Sequence, residues 1–162
     1  MVNLRLLTAE NLGREPDEVA AVLSVIEEKM SGWLQAGLTE RLGIRVRPIG
    51  KLELLPASTL EALQHAERAT RGHHRMLVNV GVAYGGQQDI IGAGASYLSD
   101  SFNRGEAPEE IGRKLNPDTL DKYLYTYDCP DPDLIIRTNG EVRLSGFTLW
   151  QTVYGEFYFC DA

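Results

Sequence analysis

Short apolar stretches recur along the chain and have the composition of buried β-strands. Each is rich in Val, Ile and Leu and stops at a glycine or a polar cluster, which is typical of strands in a parallel sheet. The predicted strands are 2–8 (VNLRLLT), 44–49 (IRVRPI), 76–84 (MLVNVGVAY) and 133–138 (DLIIRT). A bent or short helical segment followed by a further strand is expected over 149–159 (LWQTVYGEFYF).

Amphipathic segments lie between these strands. Pro16 begins the first of them, with acidic residues in the first turn, where the helix dipole favours anions. Apolar residues then follow at helical spacing, namely Val19, Val22, Leu23, Ile26 and Met30. A second helix is predicted from Pro56 to about Thr70 and a third over 87–101, and residues 103–117 are expected to form a loop with a short helix.

The alternation of strands and helices predicts an α/β fold. Strand–helix–strand units build a mostly parallel sheet flanked by helices, and the length of 162 residues suits a single domain over 1–162. In such sheets ligands bind beyond the carboxyl ends of the strands. Three polar clusters follow predicted strands at that edge: 8–14 (TAENLGR), 84–89 (YGGQQD) and 137–145 (RTNGEVRLS).

The composition is that of an ordinary globular protein and narrows the range of functions. Hydrophobic residues make up 43% and charged residues 24%. No apolar run approaches the ~20 residues of a membrane span, and no signal peptide is present, so a cytoplasmic location is expected. The net charge of −7 argues against a general affinity for nucleic acid. Cys129 and Cys160 lack the spacing of a disulfide framework or a zinc site.

The cluster 137–145 carries the residue types that suit a diphosphate. Arg137 and Arg143 offer planar, paired donors, an Asn-Gly pair between them predicts a turn whose backbone can approach phosphate oxygens, and Ser145 adds a neutral donor. The alternative is an ordinary turn in which the arginines pair with Glu141 and other surface carboxylates. The spacing alone gives the two interpretations equal weight.

The other two clusters carry weaker signals. In the first, Asn11 could orient a substrate or relay a proton and Arg14 could reach a phosphate, although Asn11 or Glu10 could instead cap the following helix. In the second, the Gly-Gly pair lacks the spacing of GxGxxG and GxxxxGK[ST] motifs. It is therefore expected to end the strand and admit the next helix, with Asp89 in the first turn of that helix.

Candidate metal ligands are few. Glu156 lies among aromatic residues in YGEFYF and is a hard oxygen ligand of the kind that Mg²⁺ takes together with substrate phosphates. The alternative is a strand-end glutamate that faces water or pairs with an arginine. His73-His74 lacks a spaced third ligand and is expected in a solvated loop. The nearby aromatic residues suit a core or a subunit interface, namely Phe147, Trp150, Tyr154, Phe157 and Tyr158.

These clusters, in this order, resemble the motifs of a known enzyme family. DPDLIIRTNGEVRLSGFTLWQTVYGEFYF is similar to the C-terminal motif region of the cis-prenyltransferases, the undecaprenyl diphosphate synthase family. LLTAENLGREPDEV resembles the S/T-x-E-N-(W/L)-x-R segment of that family, and VNVGVAYGGQQDI resembles its N/G-Y-G-G segment. The similarity covers essentially the whole chain and looks closest to actinobacterial short-chain synthases of Z-isoprenyl diphosphates.

The resemblance implies a reaction and a role for each matching residue. The family condenses an allylic diphosphate with isopentenyl diphosphate, forms a cis double bond and uses Mg²⁺. By resemblance, Asn11 takes part in proton removal and Glu156 helps to hold Mg²⁺. The matching substrate-binding residues are Arg137, Arg143 and Ser145 for isopentenyl diphosphate, Arg14 on the phosphate side, and Thr8, Ala9, Glu10, Leu12 and Leu144 elsewhere in the substrate site. A homodimer is also implied.

The sequence departs from the family pattern as well. It does not contain the D-G-N-x-R-x-A motif, whose aspartate is the family's principal group for Mg²⁺ and the allylic diphosphate, nor the helices of the hydrophobic tunnel or the W-P-D-F-like stretch and basic tail. The expected fold is therefore a partial cis-prenyltransferase domain shortened at both ends. Asn139 replaces a Gly or Ser, Gly155 an Ala or Ser, and Gln87 an Arg.

More than one function remains open at this point. The first is an isoprenyl diphosphate synthase that is active if the missing motif is supplied. The second is a non-catalytic homologue that binds diphosphates or acts as a partner subunit of a full-length synthase, and the third is a structural remnant with neither activity. In each case membrane contact is expected to be peripheral at most, because no segment encodes an anchor.

Overall fold

The computed structural model describes residues 1–138, 140–143 and 145–161. They form two compact units, Met1–Tyr84 and Gly85–Ala162. Every strand pairing within them is parallel, and helices accompany the strands in each unit, so the predicted α/β class is confirmed. The interpretation of 1–162 as one partial domain stays a prediction.

A three-stranded parallel sheet forms the centre of the first unit. Its strands are β1 (Val2–Arg5), β2 (Ile44–Ile49) and β3 (Met76–Gly81), in the spatial order β1-β3-β2. The last strand in sequence is thus the middle strand in space, with Val2 and Val46 both in register with Val78. Of the three, β2 begins and ends where the sequence predicts.

Helices of the first unit begin and end at residues with clear local causes. Pro16 occupies the first turn of the longest helix, where a missing N–H costs nothing. Gly37 and Gly43 flank a five-residue helix that the sequence analysis missed, and both have positive φ. The helices are α1 (Pro16–Gln35), α2 (Leu38–Leu42) and α3 (Ala57–Thr70), with 3-10 helices at Glu10–Gly13 and Leu52–Leu54.

The apolar faces of α1 and α3 bury one side of this sheet. From α1, Ile26 and Met30 are buried at the spacing that the sequence predicts, and Leu63 of α3 is fully buried beside them. The sheet contributes alternate residues such as Val46 and Val80, because successive strand residues point to opposite faces. Each fully buried side chain of this kind stabilises the fold by about 1.5–3 kcal/mol.

A polar ladder crosses the three strands. It consists of residues that alternate with the buried apolar ones and therefore point to the opposite face of the sheet. Asn79 of β3 is fully buried and stands in register with both Asn3 and Arg47. Its Nδ2 donates to Oδ1 of Asn3 at 2.7 Å, and Nε of Arg47 donates to its Oδ1 at 2.7 Å. Since a register slip of one residue would separate these partners, the ladder fixes the alignment of all three strands.

The predicted strand over 76–84 ends early, at Gly81. Ala83 has a φ of 51°, a left-handed conformation that ends regular pairing. Gly50 packs against this turn so closely that a Cβ atom would lie within 3 Å of the Val82 carbonyl oxygen, and Lys51 N–H donates to the Ala83 carbonyl at 3.1 Å. The predicted strand over 2–8 likewise stops at Arg5.

The second unit holds the remaining helices and a two-stranded parallel sheet. Pro108 and Pro117 each lie in the first turn of a short helix. The first helix, Pro108–Lys114, is the short helix expected within 103–117, and the second, Pro117–Asp121, begins only at the end of that range. Asn116 caps the latter through a reciprocal pair of hydrogen bonds with Thr119. The elements are α4 (Gly86–Asn103), α5 (Pro108–Lys114), α6 (Pro117–Asp121), β4 (Leu134–Arg137) and β5 (Glu156–Phe159), with a turn-rich segment over 147–154.

An ionic network joins the end of α4 to α5. Nε of Arg104 donates to Glu106 at 2.8 Å, and Lys114 lies 3.4 Å from the other oxygen of that carboxylate. The hydrogen bond from Arg104 holds the pKa of Glu106 below its usual value. Burial, together with nearby aspartates, raises the pKa of Asp121.

No helix in the described part of the chain is both long and apolar enough to cross a membrane.

Candidate functional site

Two arginines of the loop after β4 bind the same carboxylate. Arg137 is the last residue of β4, and only 14% of its side chain is exposed. Its Nη2 donates to Oε2 of Glu141, and its Nη1 donates to the carbonyl oxygen of Arg143 at 2.6 Å. Arg143 donates to Glu141 through two atoms, Nε to Oε2 at 3.0 Å and Nη2 to Oε1 at 2.9 Å. Pairing with Glu141, one of the two arrangements that the sequence allows, is thus present.

The loop is anchored to the end of β5. Cys160 N–H donates to the carbonyl oxygen of Arg137 at 2.9 Å, and its own carbonyl accepts from Gly140 N–H at 3.3 Å. Gly140 has a φ of 70°, and a Cβ atom there would meet the carboxylate of Asp161. A glycine is therefore required for the turn, as the Asn-Gly pair predicts. Asn139 and Leu144 lie outside the described residues.

The Gly-Gly turn packs directly on the far end of this loop. Gly86, the first residue of α4, donates its N–H to the carbonyl oxygen of Gly146 at 3.1 Å. Ser145 immediately precedes that carbonyl and is exposed. The prediction that the glycine pair admits the next helix is confirmed, and Asp89 lies in the first turn of α4, where its Oδ1 accepts from Tyr125 N–H at 3.2 Å.

Glu156 lies at the opposite end of the small sheet from Arg137. It is the exposed first residue of β5 and stands in register with Leu134, whereas Arg137 is in register with Phe159. Three residues of strand therefore separate the levels of the two side chains, or about 10 Å at about 3.3 Å per residue. The second unit thus does not bring the predicted metal ligand to the predicted diphosphate-binding loop.

The cluster 8–14 belongs to the first unit, where it follows β1. Thr8 forms an isolated parallel bridge with Tyr84, and Ala9 N–H donates to the Tyr84 carbonyl at 3.3 Å. The cluster is thereby held beside the residue that precedes the Gly-Gly pair. Asn11 donates its backbone N–H to Oγ1 of Thr8 at 3.2 Å, and its side chain is half-buried.

Arg14 extends from this cluster over the start of α1. Its Nη1 donates to Glu18 at 2.5 Å, and about half of each side chain is exposed, with values of 55% and 53%. Exposed pairs of this kind contribute at most about 1 kcal/mol, so an anion could displace Glu18. The N-cap residue of α1 is Glu15, without a side-chain cap. The alternative in which Asn11 or Glu10 caps this helix is therefore wrong.

The first unit also contains a cavity that the sequence analysis missed. It has a volume of about 500 Å³ and lies between the 3-10 helix Glu10–Gly13, one face of α1 and the start of α3. Leu12 and Arg14 line one part, while Oε1 of Glu27 accepts hydrogen bonds from Ser58 and Thr59 at another. The signal was a stripe on α1 at helical spacing that shares Val19 and Leu23 with the predicted apolar face and adds Pro16, Ala20, Ser24 and Glu27.

Metal-binding side chains do not cluster in the described part of the chain, where no three of His, Cys, Asp and Glu converge. The ring Nδ1 of His73 lies 2.8 Å from the Ile44 carbonyl, so this half-buried histidine binds backbone. His74 beside it is exposed.

Comparison with known proteins identifies the family. The family model described as "Putative undecaprenyl diphosphate synthase" matches residues 1–162. The chain belongs to this family. The resemblance found in the sequence motifs is thereby confirmed. Curated members of the undecaprenyl diphosphate synthase family that match include an isoprenyl transferase of Deinococcus radiodurans, 43% identical over 159 residues, and a (2Z,6E)-farnesyl diphosphate synthase of Thermobifida fusca, 43% identical over 161 residues.

These matches cover nearly all of this chain and only part of each relative. The alignments include 96% and 99% of the chain but 57% and 61% of the two relatives. Among solved structures, lavandulyl diphosphate synthase from Lavandula x intermedia is similar to this chain, with a TM-score of 0.86 at 30% identity. That comparison covers 97% of this chain and 66% of that one.

Proposed function

We propose that the chain provides the isopentenyl diphosphate-binding part of an enzyme that joins isopentenyl diphosphate to an allylic diphosphate with a new cis double bond. The observation that carries this proposal is the pair of guanidinium groups converging on one anion after β4. Membership of a family whose relatives are named isoprenyl transferase and (2Z,6E)-farnesyl diphosphate synthase supports the same reaction.

In this reaction the chain's residues would bind and orient charged groups. Arg137 and Arg143 would hold the diphosphate of isopentenyl diphosphate through paired N–H donors, with the Ser145 hydroxyl as a neutral donor. The allylic diphosphate is the group that leaves in this reaction, and cationic groups beside it would favour its departure by stabilising the negative charge that develops. Arg14 would contact a substrate phosphate. Thr8, Ala9, Glu10, Leu12 and Leu144 are proposed to line the substrate site.

Asn11 is proposed to act near the proton that the condensation releases. A carboxamide has no titratable proton at neutral pH, so Asn11 would orient the substrate or a water molecule and would not itself accept the proton. Its half-buried side chain beside the Thr8 turn suits such a positioning function.

Mg²⁺ is the cofactor that the resemblance implies, and this chain fits it poorly. Glu156 can supply one hard oxygen ligand, but it lies about 10 Å along the strand direction from Arg137. The described residues offer no cluster of three metal-binding side chains. Mg²⁺ neutralises phosphate charge and polarises a leaving group where it binds. The use of Mg²⁺ by this protein stays a prediction.

A binding experiment tests the diphosphate assignment. Isothermal titration with isopentenyl diphosphate would compare the wild type with the double variant Arg137→Ala plus Arg143→Ala. Hydrogen bonds to charged groups contribute about 1.5–3 kcal/mol each, so affinity should fall about 100-fold or more. The control Arg71→Ala plus Arg113→Ala removes the same charge from exposed positions. Binding that survives the first pair of substitutions contradicts the assignment.

A second experiment tests the reaction. The purified chain would be incubated with Mg²⁺, radiolabelled isopentenyl diphosphate and geranyl diphosphate, alone and beside the full-length Thermobifida fusca relative. We expect the label to enter a product that organic solvent extracts. If no product attributable to the chain forms under either condition, the protein is not an enzyme by itself or in that pairing.

We also propose a cytoplasmic homodimer with at most peripheral membrane contact. Exposed apolar and aromatic residues of the second unit suit a subunit interface, among them Tyr154 at 94% and Tyr158 at 59% exposure. Cys129 and Cys160 are free thiols, which fits a reducing compartment. Equilibrium sedimentation at micromolar concentrations should show a dimer. A monomer at every concentration would contradict this assembly.

A further inference from the structure

We propose that Glu141 is an internal counter-anion that competes with diphosphate for Arg143 and so makes the loop selective for highly charged anions. This inference rests on the proposed function, because it concerns the same loop. Glu141 thereby has a function beyond that of an ordinary ion-pair partner. The diphosphate would take the place that the Glu141 carboxylate occupies between the two guanidinium groups.

The geometry shows why Glu141 can stand in for a ligand. Both of its carboxylate oxygens accept from guanidinium N–H groups, Oε1 from Arg143 and Oε2 from Arg143 and Arg137. Carboxylate and phosphate present pairs of oxygens at similar spacing, so the same fork of donors recognises either group. The position between the guanidiniums is therefore built for an anion and already holds one.

Arg143 is the arginine that can change partner. Its side chain is 71% exposed, and within the described residues its guanidinium bonds only to Glu141. Arg137 is 14% exposed and is also tied to a backbone carbonyl through Nη1. An incoming anion would thus displace the Glu141 carboxylate first from the exposed Arg143, while Arg137 stays in place at the end of β4.

Competition of this kind discriminates by charge. The three side chains together carry a net charge of +1, whereas the two arginines alone would carry +2. A monovalent anion gains nothing by replacing the Glu141 carboxylate, which is attached to the same loop and reaches the site at a high effective concentration. A diphosphate carries more negative charge and can contact both arginines at once. Its interactions with the arginines therefore offset the loss of their ion pairs with Glu141, whereas those of a monovalent anion do not.

The test compares anion affinity with and without the internal charge. Isothermal titration with inorganic pyrophosphate and with orthophosphate would be run on the wild type, on Glu141→Gln and on the control Glu109→Gln. Glu109 is an exposed glutamate in the first turn of α5, so its substitution makes the same change in net charge. We expect Glu141→Gln to bind pyrophosphate about five- to tenfold more tightly and orthophosphate more tightly by a larger factor, with Glu109→Gln within about twofold of wild type.

A double variant ties the effect to Arg143. If Glu141 competes for this arginine, the gain from Glu141→Gln should disappear when Arg143→Ala is also present. Weaker or unchanged pyrophosphate binding in Glu141→Gln overturns the inference, since it would mean that the carboxylate orients the arginines or is irrelevant to them. Suppose that Arg137→Ala plus Arg143→Ala abolishes pyrophosphate binding while Glu141→Gln leaves it unchanged. That result overturns the inference about Glu141 and leaves the proposed function standing. Absence of binding in wild type and Glu141→Gln overturns both it and the proposed function.

Discussion

Replacing Gly86 by alanine should break the contact between the Gly-Gly turn and the loop that follows β4. The new Cβ atom would lie 2.2 Å from the Gly146 carbonyl oxygen, against the 3.0 Å below which real Cβ atoms essentially never approach another atom, and 2.8 Å from Cβ of Leu149. Both neighbours belong to the packed segment that follows Ser145, and neither is the far end of a flexible side chain. The backbone must therefore move.

Two costs determine how much the free energy of unfolding falls in Gly86→Ala. Forcing extra volume into a packed site costs about 1–3 kcal/mol. The hydrogen bond from Gly86 N–H to Gly146, 3.1 Å long, would stretch or break, and the loss of such a bond costs about 0.5–1.5 kcal/mol. The free energy of unfolding of Gly86→Ala should thus fall by about 2–4 kcal/mol. Pyrophosphate affinity should fall as well, because the displaced carbonyl adjoins Ser145.

Urea denaturation followed by circular dichroism measures this change, and Gly92→Ala is the matched control. Gly92 lies in the same helix, α4, is exposed, and has no atom within 4 Å of a new Cβ. Alanine there should stabilise the protein by about 0.5–1 kcal/mol, because glycine is unfavourable in a helix interior. If Gly86→Ala proves as stable as wild type, the close packing of Gly86 on Gly146 is not a feature of the protein in solution.

Two further outcomes follow from polar contacts between side chains, one buried and one at the surface. Asn79→Val should lower the free energy of unfolding by about 2–4 kcal/mol in urea denaturation, because Nε of Arg47 and Oδ1 of Asn3 lose a buried partner. A change within experimental error would show that these hydrogen bonds do not hold the strands together. The hydrogen bond from Arg104 lowers the pKa of Glu106, so the ionised carboxylate stabilises the fold at pH values above the ordinary glutamate pKa. This stabilisation should be lost as the pH falls through the lowered pKa. Thermal unfolding of Glu106→Gln should then depend less on pH, below the ordinary glutamate pKa, than that of wild type, and equal dependence would contradict the pairing.

Much of the fold could be predicted from the sequence because its signals are local. Pro16 sets the start of α1, and the apolar spacing through Met30 reports the face that is buried. The limits of β3 could not be predicted, because Val82, Ala83 and Tyr84 are as apolar as a strand requires. Pairing stops there because Gly50 packs on the turn and Ala83 adopts a left-handed conformation, and both depend on a contact between distant parts of the chain.

The candidate site shows the same division. The residue types of the loop predict that Arg137 and Arg143 can hold an anion, and the arginines do converge on one, although the anion is Glu141. Sequence spacing could not choose between an external and an internal partner, since both satisfy the same donors. It also could not show that Glu156 lies at the other end of β5, because that position depends on the register with β4.

The order of strands in the first unit has a consequence for synthesis on the ribosome. The middle strand, β3, is the last of the three to be made, and Val2 of β1 pairs with Val78, 76 positions later. At translation rates of about 5–20 residues per second, β1 waits roughly 4 to 15 s for its partner. During that interval β1 and β2 have no neighbour in the sheet, and the apolar faces of α1 and α3 lack the strand that joins them. The nascent chain is therefore open to aggregation or chaperone capture until β3 emerges, and the sheet can close only then.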